Sequence, residues 1–206
     1  MKRTSRPYSA KTNKKKQPKT ANKMVLYKQV NTTNLRMVKR HADHGTVNVN
    51  PVTGNLVAMF FALNRVAGYT ELAAMYDRYK INAVEVCFYP KVSGIRTTTL
   101  VDTPDPARFL SCIDYTDSSV PTSANAIREY ETCEVTVIYD KHTRYVPYPK
   151  VVDGISSTRT SYISTANVTE PHYGLKYVIE PTNQTGAGVM VYTVEVTYYM
   201  TFKDLK

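Results

Sequence analysis

Thirteen cationic side chains precede the first carboxylate of the chain, Asp43: Lys2, Arg3, Arg6, Lys11, Lys14, Lys15, Lys16, Lys19, Lys23, Lys28, Arg36, Lys39 and Arg40. Cations at this density, without counter-charges between them, repel one another and gain most by neutralising a polyanion. The whole chain has a formal net charge of +10. Residues 43–206 hold 14 Lys or Arg against 17 Asp or Glu, so the positive excess lies ahead of Asp43. Nine of the cations fall in residues 1–23, densest around Lys14-Lys15-Lys16. That stretch has no large aliphatic residue beyond Met1. It cannot bury enough apolar surface to offset its ordering entropy, so it is expected to be disordered in isolation. Short Lys-rich runs suit phosphate contact and nuclear import alike. No zinc spacing or recognition-helix pattern accompanies the charge, so binding is expected to be electrostatic and tolerant of sequence.

Other residues with chemical potential carry weaker patterns. His41 and His44 are three apart, with only Asp43 between them to complete a metal set, and His142 and His172 stand alone. Asp102, Asp105, Asp114 and Asp117 sit in Pro- and Ser-rich sequence. Local hydrogen bonding in turns explains that spacing best, with a cation site between subunits as the sharper alternative. Gly186-Ala187-Gly188 precedes a strand, not the helix a phosphate loop requires, and reads as a turn. Cys87, Cys112 and Cys133 are odd in number and far apart, and read as small buried thiols in a reducing compartment. No positive sign of catalysis or of a cofactor emerges. Tyr145-Val146-Pro147-Tyr148-Pro149 is stiff, extended and aromatic. Tyr145, Pro147, Tyr148 and Pro149 are candidates for a subunit interface. Packing on their own sheet and stacking on nucleic-acid bases are the other open roles.

The elements that must position these groups are mostly strands. At 206 residues, one domain plus an N-terminal extension is expected, divided here as residues 1–33 and 34–206. In Val189–Lys203 the even positions Met190, Tyr192, Val194, Val196, Tyr198, Met200 and Phe202 are all apolar or aromatic. This predicts a long strand, central in its sheet, with one face in a core. Thr132–Asp140 repeats the pattern with Cys133, Val135, Val137 and Tyr139 on one face. Ala107–Tyr115, Gly174–Glu180 and Leu35–Ala42 are further strands, the last carrying Arg36, Lys39 and Arg40. Lys80–Tyr89 is apolar on both faces, which suits a strand covered on both sides. Thr70 is expected to cap a helix through Leu72, Met75, Tyr76 and Tyr79. Thr122 or Ser123 is expected to cap a second, over Ala124–Glu129. Loops of ten or more residues are expected at Lys91–Pro106 and Tyr145–Ser161. No apolar run approaches the 18 or more residues of a membrane span, and no secretory signal is visible, so a soluble protein, intracellular at synthesis, is expected.

The stretch Tyr76-Asp77-Arg78-Tyr79-Lys80-Ile81-Asn82 through Phe88-Tyr89-Pro90 resembles capsid proteins of small circular single-stranded DNA viruses, the circovirus and cyclovirus-like group. Further matches follow in order: Ile113-Asp114-Tyr115-Thr116-Asp117 with Pro121-Thr122-Ser123 and Ala126, then Lys141-His142-Thr143-Arg144, then the closing Val196–Leu205 strand. The resemblance implies an all-β fold, a single eight-stranded jelly-roll β-sandwich with long loops and one or two short helices. It implies a homo-oligomeric icosahedral shell, with ~60 copies if each position holds one subunit. It also implies that the basic arm faces a single-stranded DNA genome, and engages the host nuclear import machinery before assembly in the nucleus. At thirteen charges each, ~60 arms would supply roughly 780 cations to the packaged genome. The arm departs from the group's pattern: it is short and Lys-rich, where circovirus arms are long and Arg-dense, which points to a divergent relative. The rival reading is a non-viral β-sandwich that binds nucleic acid through a basic tail.

Overall fold

The computed structural model describes residues 36–91, 107–153, 157–159, 161–182 and 190–206. The chain divides into residues 1–32 and residues 33–206, and every described element belongs to the latter. In chain order the strands are β1 (Arg36–Asn48), β2 (Asn55–Phe61), β3 (Tyr76–Lys91), β4 (Arg108–Ile113), β5 (Glu134–Val137), β6 (His142–Pro147), β7 (Lys150–Asp153), β8 (Ser157–Arg159), β9 (Ile163–Ser164), β10 (His172–Ile179) and β11 (Val191–Leu205). Two short α-helices, α1 (Tyr69–Met75) and α2 (Ala124–Arg128), and a 3-10 turn at Leu63–Arg65 complete the described elements.

All described pairings are antiparallel and form two sheets. One runs β1-β11-β3-β6, with β9 added beside β3. The other places β10 centrally, between β2 on one side and β4, followed by β5, on the other; β7 and β8 extend from β10. Apart from β4 and β5, which pair in one sheet, the successive strands of the two main layers alternate between the sheets, the jelly-roll arrangement of two facing Greek-key sheets. Eight strands form the two four-stranded layers, and β7, β8 and β9 are additions to them.

The core lies between the sheets and is rich in aromatic rings. Phe109 sits at its centre, 4.7 Å from the Phe88 ring, 5.3 Å from Tyr177 and 5.4 Å from Tyr192. The buried Tyr hydroxyls find backbone partners: Tyr79 donates to the Asn167 carbonyl at 3.1 Å, and Tyr192 to that of Ile138. The even positions Tyr192, Val194, Val196, Tyr198, Met200 and Phe202 of β11 all enter this core, and β11 lies between β1 and β3. Both follow the period-2 reading.

Several local expectations are corrected. The two-sided apolar pattern of Lys80–Tyr89 comes from a β-bulge. Tyr199 pairs with Ala83 but Met200 pairs with Ile81, which leaves Asn82 as an extra residue in β3. Core-facing residues therefore switch from Tyr79 and Ile81 to Val84, Val86 and Phe88. In β5 the apolar face points away from the main core. Val135, Val137 and Tyr139 are 46%, 37% and 40% exposed. The register decides this: Thr136 pairs with core-facing Phe109, whereas Val135 pairs with Leu110, whose side faces α2. Ser123 caps α2 as expected, accepting from the Ala126 amide at 3.2 Å. Helix α1 is preceded by Gly68 in the left-handed region, not by Thr70, and it ends at Met75; Tyr76 and Tyr79 belong to β3. The span Tyr145–Ser161 is not a single loop, since it holds the end of β6 and strands β7 and β8. Of the Lys91–Pro106 loop only Lys91, the last residue of β3, is described, and Gly186-Ala187-Gly188 lies outside the described residues. Of the three cysteines, all free, only Cys112 is fully buried. No helix among the described residues is long and apolar enough to cross a membrane.

Candidate nucleic-acid and assembly surfaces

The arm residues Lys2, Arg3, Arg6, Lys11, Lys14, Lys15, Lys16, Lys19, Lys23 and Lys28 lie outside the described residues. The three remaining cations of the basic segment are on β1, the edge strand of its sheet. All three are exposed. Strand alternation separates them. Arg36 pairs with Phe202 and Arg40 with Tyr198, on the core side of the sheet but beyond its covered part. Lys39 pairs with Tyr199 on the outer face, and its ammonium lies 5.3 Å from that ring.

Tyr145-Val146-Pro147-Tyr148-Pro149 carries the chain from one sheet to the other. Val146 is fully buried, while Tyr145 and Tyr148 remain 57% and 55% exposed. Tyr145 pairs with Glu85 on the outer face and meets the Tyr199 ring edge-on at 6.3 Å. Tyr148 adopts a φ of 49°, in the left-handed region that L-residues seldom occupy. Its amide donates to the Asn82 carbonyl, at the bulge, at 2.7 Å. The Pro147 carbonyl accepts from the Tyr115 hydroxyl. Packing on the parent sheet and outward display thus coexist in one segment. Its exposed rings join Lys39 and Tyr199 around a groove of about 570 Å³.

The acidic residues do turn chemistry and bind an internal cation. Asp114 accepts from the Thr116 amide and Asp117 from the Ser119 amide, both at 2.8 Å. Both carboxylates also hold the Lys176 ammonium, at 2.8 and 2.6 Å. Burial pushes the Asp114 carboxyl upward, but hydrogen bonds from Lys176, Thr116 and Tyr130 outweigh it and hold the pKa at about 2. The buried Lys176 was illegible in the sequence, where it sits in an otherwise apolar strand. Asp102 and Asp105 lie outside the described residues. The histidines do not converge: His41 contacts Thr197 at 3.0 Å and His44 contacts Tyr198 at 2.9 Å. Among the described residues no group of three or more His, Cys, Asp or Glu could hold a metal ion.

His142 is not isolated. It is fully buried on β6, and its ring nitrogens contact Ser111 Oγ at 2.6 Å and Thr136 Oγ1 at 2.9 Å, both on the opposing sheet. The ring stacks on Phe109 at 4.3 Å. Beside it, buried Arg144 pairs with Glu134 and donates to the Thr132 carbonyl at 2.7 Å. This polar seam explains the parity of β5: its hydrogen-bonding residues face inward, and its apolar residues face out. The exposed Val135–Tyr139 stripe is an assembly surface candidate that alternation alone assigned to the core.

Solved viral capsid structures share this architecture. The decameric BFDV capsid protein matches with a TM-score of 0.58 at 17% identity, covering 82% of this chain and 99% of that one. The 60-mer BFDV capsid protein matches with a TM-score of 0.59 at 13% identity, covering 84% and 96%. The capsid of the giant freshwater prawn Macrobrachium rosenbergii nodavirus, as a semi-empty particle, matches with a TM-score of 0.52 at 11% identity, covering 84% and 94%. No curated protein sequence matches the chain. At these identities the structures establish the jelly-roll fold, and membership needs a sequence match. That match is the circovirus capsid protein model, which spans residues 2–206 and so takes in both the basic arm and the sandwich; the chain belongs to the circovirus capsid protein family.

Proposed function

We propose that this capsid protein closes into an icosahedral shell of ~60 subunits and packages a circular single-stranded DNA genome through its basic arm. The carrying observation is the segregation of charge within a capsid-family chain: thirteen cations ahead of Asp43, then a body with a slight acidic excess. A shell that confines polyanion needs cations concentrated on one segment, and a body close to neutral packs against copies of itself at lower repulsive cost. The exposed apolar stripe that runs from β5 into the turn after it supports assembly, because Val135, Val137 and Tyr139 stand exposed at the edge of their sheet. Residues 1–33 are the arm and residues 34–206 the shell domain in this reading. The arm also serves as the nuclear import signal, which places assembly in the host nucleus and the product in the virion.

The test is electron microscopy of purified full-length protein, with sequencing of any nuclease-protected nucleic acid. Closed particles that protect single-stranded DNA are expected. Only small soluble species across salt and pH would favour the rival reading of a discrete nucleic-acid-binding module.

A further inference from the structure

The outer face of the β1-β11-β3-β6 sheet repeats one pairing. Lys39 lies over the Tyr199 ring at 5.3 Å, Lys80 over Tyr148 at 5.5 Å, Lys141 over Tyr89 at 4.9 Å and Lys203 over Tyr162 at 4.5 Å. Register places the strand residues among these on one face: Lys39 opposite Tyr199, Lys80 opposite Thr201, Tyr89 opposite Thr193 and Lys203 opposite Arg78. Lys80 and Tyr89 are nine residues apart along β3, so the row extends about 30 Å. We propose that this face is an ordered single-stranded nucleic-acid site, in which bases stack on the tyrosines while the adjacent ammonium groups take the phosphates. It rests on the reading of the chain as a packager of single-stranded DNA, and adds a stacking contact to the charge of the arm.

The groove at the centre of this face is built for planar guests. The extra residue of the β3 bulge, Asn82, lines it together with Lys39, Tyr145, Tyr148, Tyr199 and Thr201. Its rings are held in place. Tyr199 donates to Glu85 at 3.3 Å, Tyr145 packs edge-on against Tyr199, and Tyr148 is fixed through its amide to Asn82. A positive φ at Tyr148 is a strained choice for an L-residue, and it keeps that ring at the rim. Glu85 and Glu195 share the face, but neither lines the groove.

A second copy of the chain is the competing occupant. Protein–protein interface cores are depleted in Lys, whereas Tyr199, Tyr148, Tyr89 and Tyr162 on this face each have a Lys beside them. Aromatic platforms with neighbouring cations are the hallmark of sequence-tolerant single-strand binding. The β5 stripe, with Val135, Val137 and Tyr139 exposed, has the composition that a protein partner would prefer.

The experiment uses full-length protein and a fluorescent oligo-dT containing 2-aminopurine, titrated across a salt series. Tyr145→Thr with Tyr148→Asn keeps a strand former in β6 and a residue tolerant of positive φ at 148. It is expected to weaken binding about tenfold at fixed salt, leave the salt slope unchanged, and abolish quenching of 2-aminopurine. Tyr145→Phe with Tyr148→Phe keeps the rings and is expected to bind as wild type. Lys39→Gln with Lys80→Gln is expected to lower the salt slope by about 1.4, from ~0.7 per phosphate contact. Wild-type affinity and quenching in the Thr/Asn variant would overturn the site. So would loss of closed particles by that variant without loss of oligonucleotide binding, which would assign the face to subunit contact. If wild-type particles protect single-stranded DNA while the variants bind normally, the packaging reading stands and this site falls. If wild type binds no oligonucleotide, both fall.

Discussion

His142 joins the two sheets through a neutral ring, with Ser111 and Thr136 on its nitrogens and Phe109 against its face. Burial, reinforced by the Arg144 cation, lowers its pKa from 6.5 to about 4, against a weaker opposing effect of Glu134. The unfolded chain therefore binds a proton near pH 6.5 that the folded chain refuses until about pH 4. Stability from this site is complete above pH 6.5 and is lost as pH falls through that window, by about 2–3 kcal/mol at pH 4.5. Burial lowers the His44 and His172 pKa values as well, so their contributions have the same sign. Thermal unfolding between pH 7.5 and 4.5 should show a steep loss for wild type. His142→Asn should start less stable and show a shallower loss; parallel curves would exclude His142 as the source. In the sequence this residue is one His among polar and apolar neighbours. Its partners at positions 111 and 136 reach it only through the facing sheet.

Element boundaries were legible wherever one face of a strand stayed in the core from end to end. β11 is such a strand, because its partners on both sides hold it central and its even residues from Tyr192 to Phe202 stay in the interior. β3 is not, since one extra residue at Asn82 exchanges its faces midway, and a bulge leaves no mark in composition. The turn between β1 and β2 illustrates how such local devices are enforced. The Asn50 side chain accepts from the amides of Val52 and Thr53, at 2.9 and 3.0 Å, and Gly54 closes the turn at a φ of 68°. A Cβ at Gly54 would come within 2.2 Å of the Ile179 carbonyl oxygen, a backbone atom of β10. Gly54→Ala should therefore destabilise the fold by about 2 kcal/mol, from left-handed strain and displacement of β10. Denaturant unfolding checks this, and an unchanged midpoint would mean that the turn moves freely against the sheet.

For the whole molecule, the division of charge at Asp43 dictates how binding depends on salt. Deleting residues 1–23 removes nine cations and no residue of the described sandwich. The salt slope for single-stranded DNA should fall by up to ~6, at roughly 0.7 per neutralised phosphate, while the circular dichroism of the body is retained. An unchanged slope would show that the arm does not touch phosphates. The arm and the long alternating strands were readable from the sequence by itself, because net charge and period-2 patterning are properties of neighbouring residues. They suffice for a β-sandwich preceded by a strongly basic segment. Only the tertiary structure decided that Val135 and Val137 face outward, that Lys176 is buried against Asp114, and that Lys39 meets Tyr199 from 160 positions away. Each of these depends on register between strands distant in sequence. A shift of one residue in that register would reverse every face, and nothing local to either strand records which pairing wins.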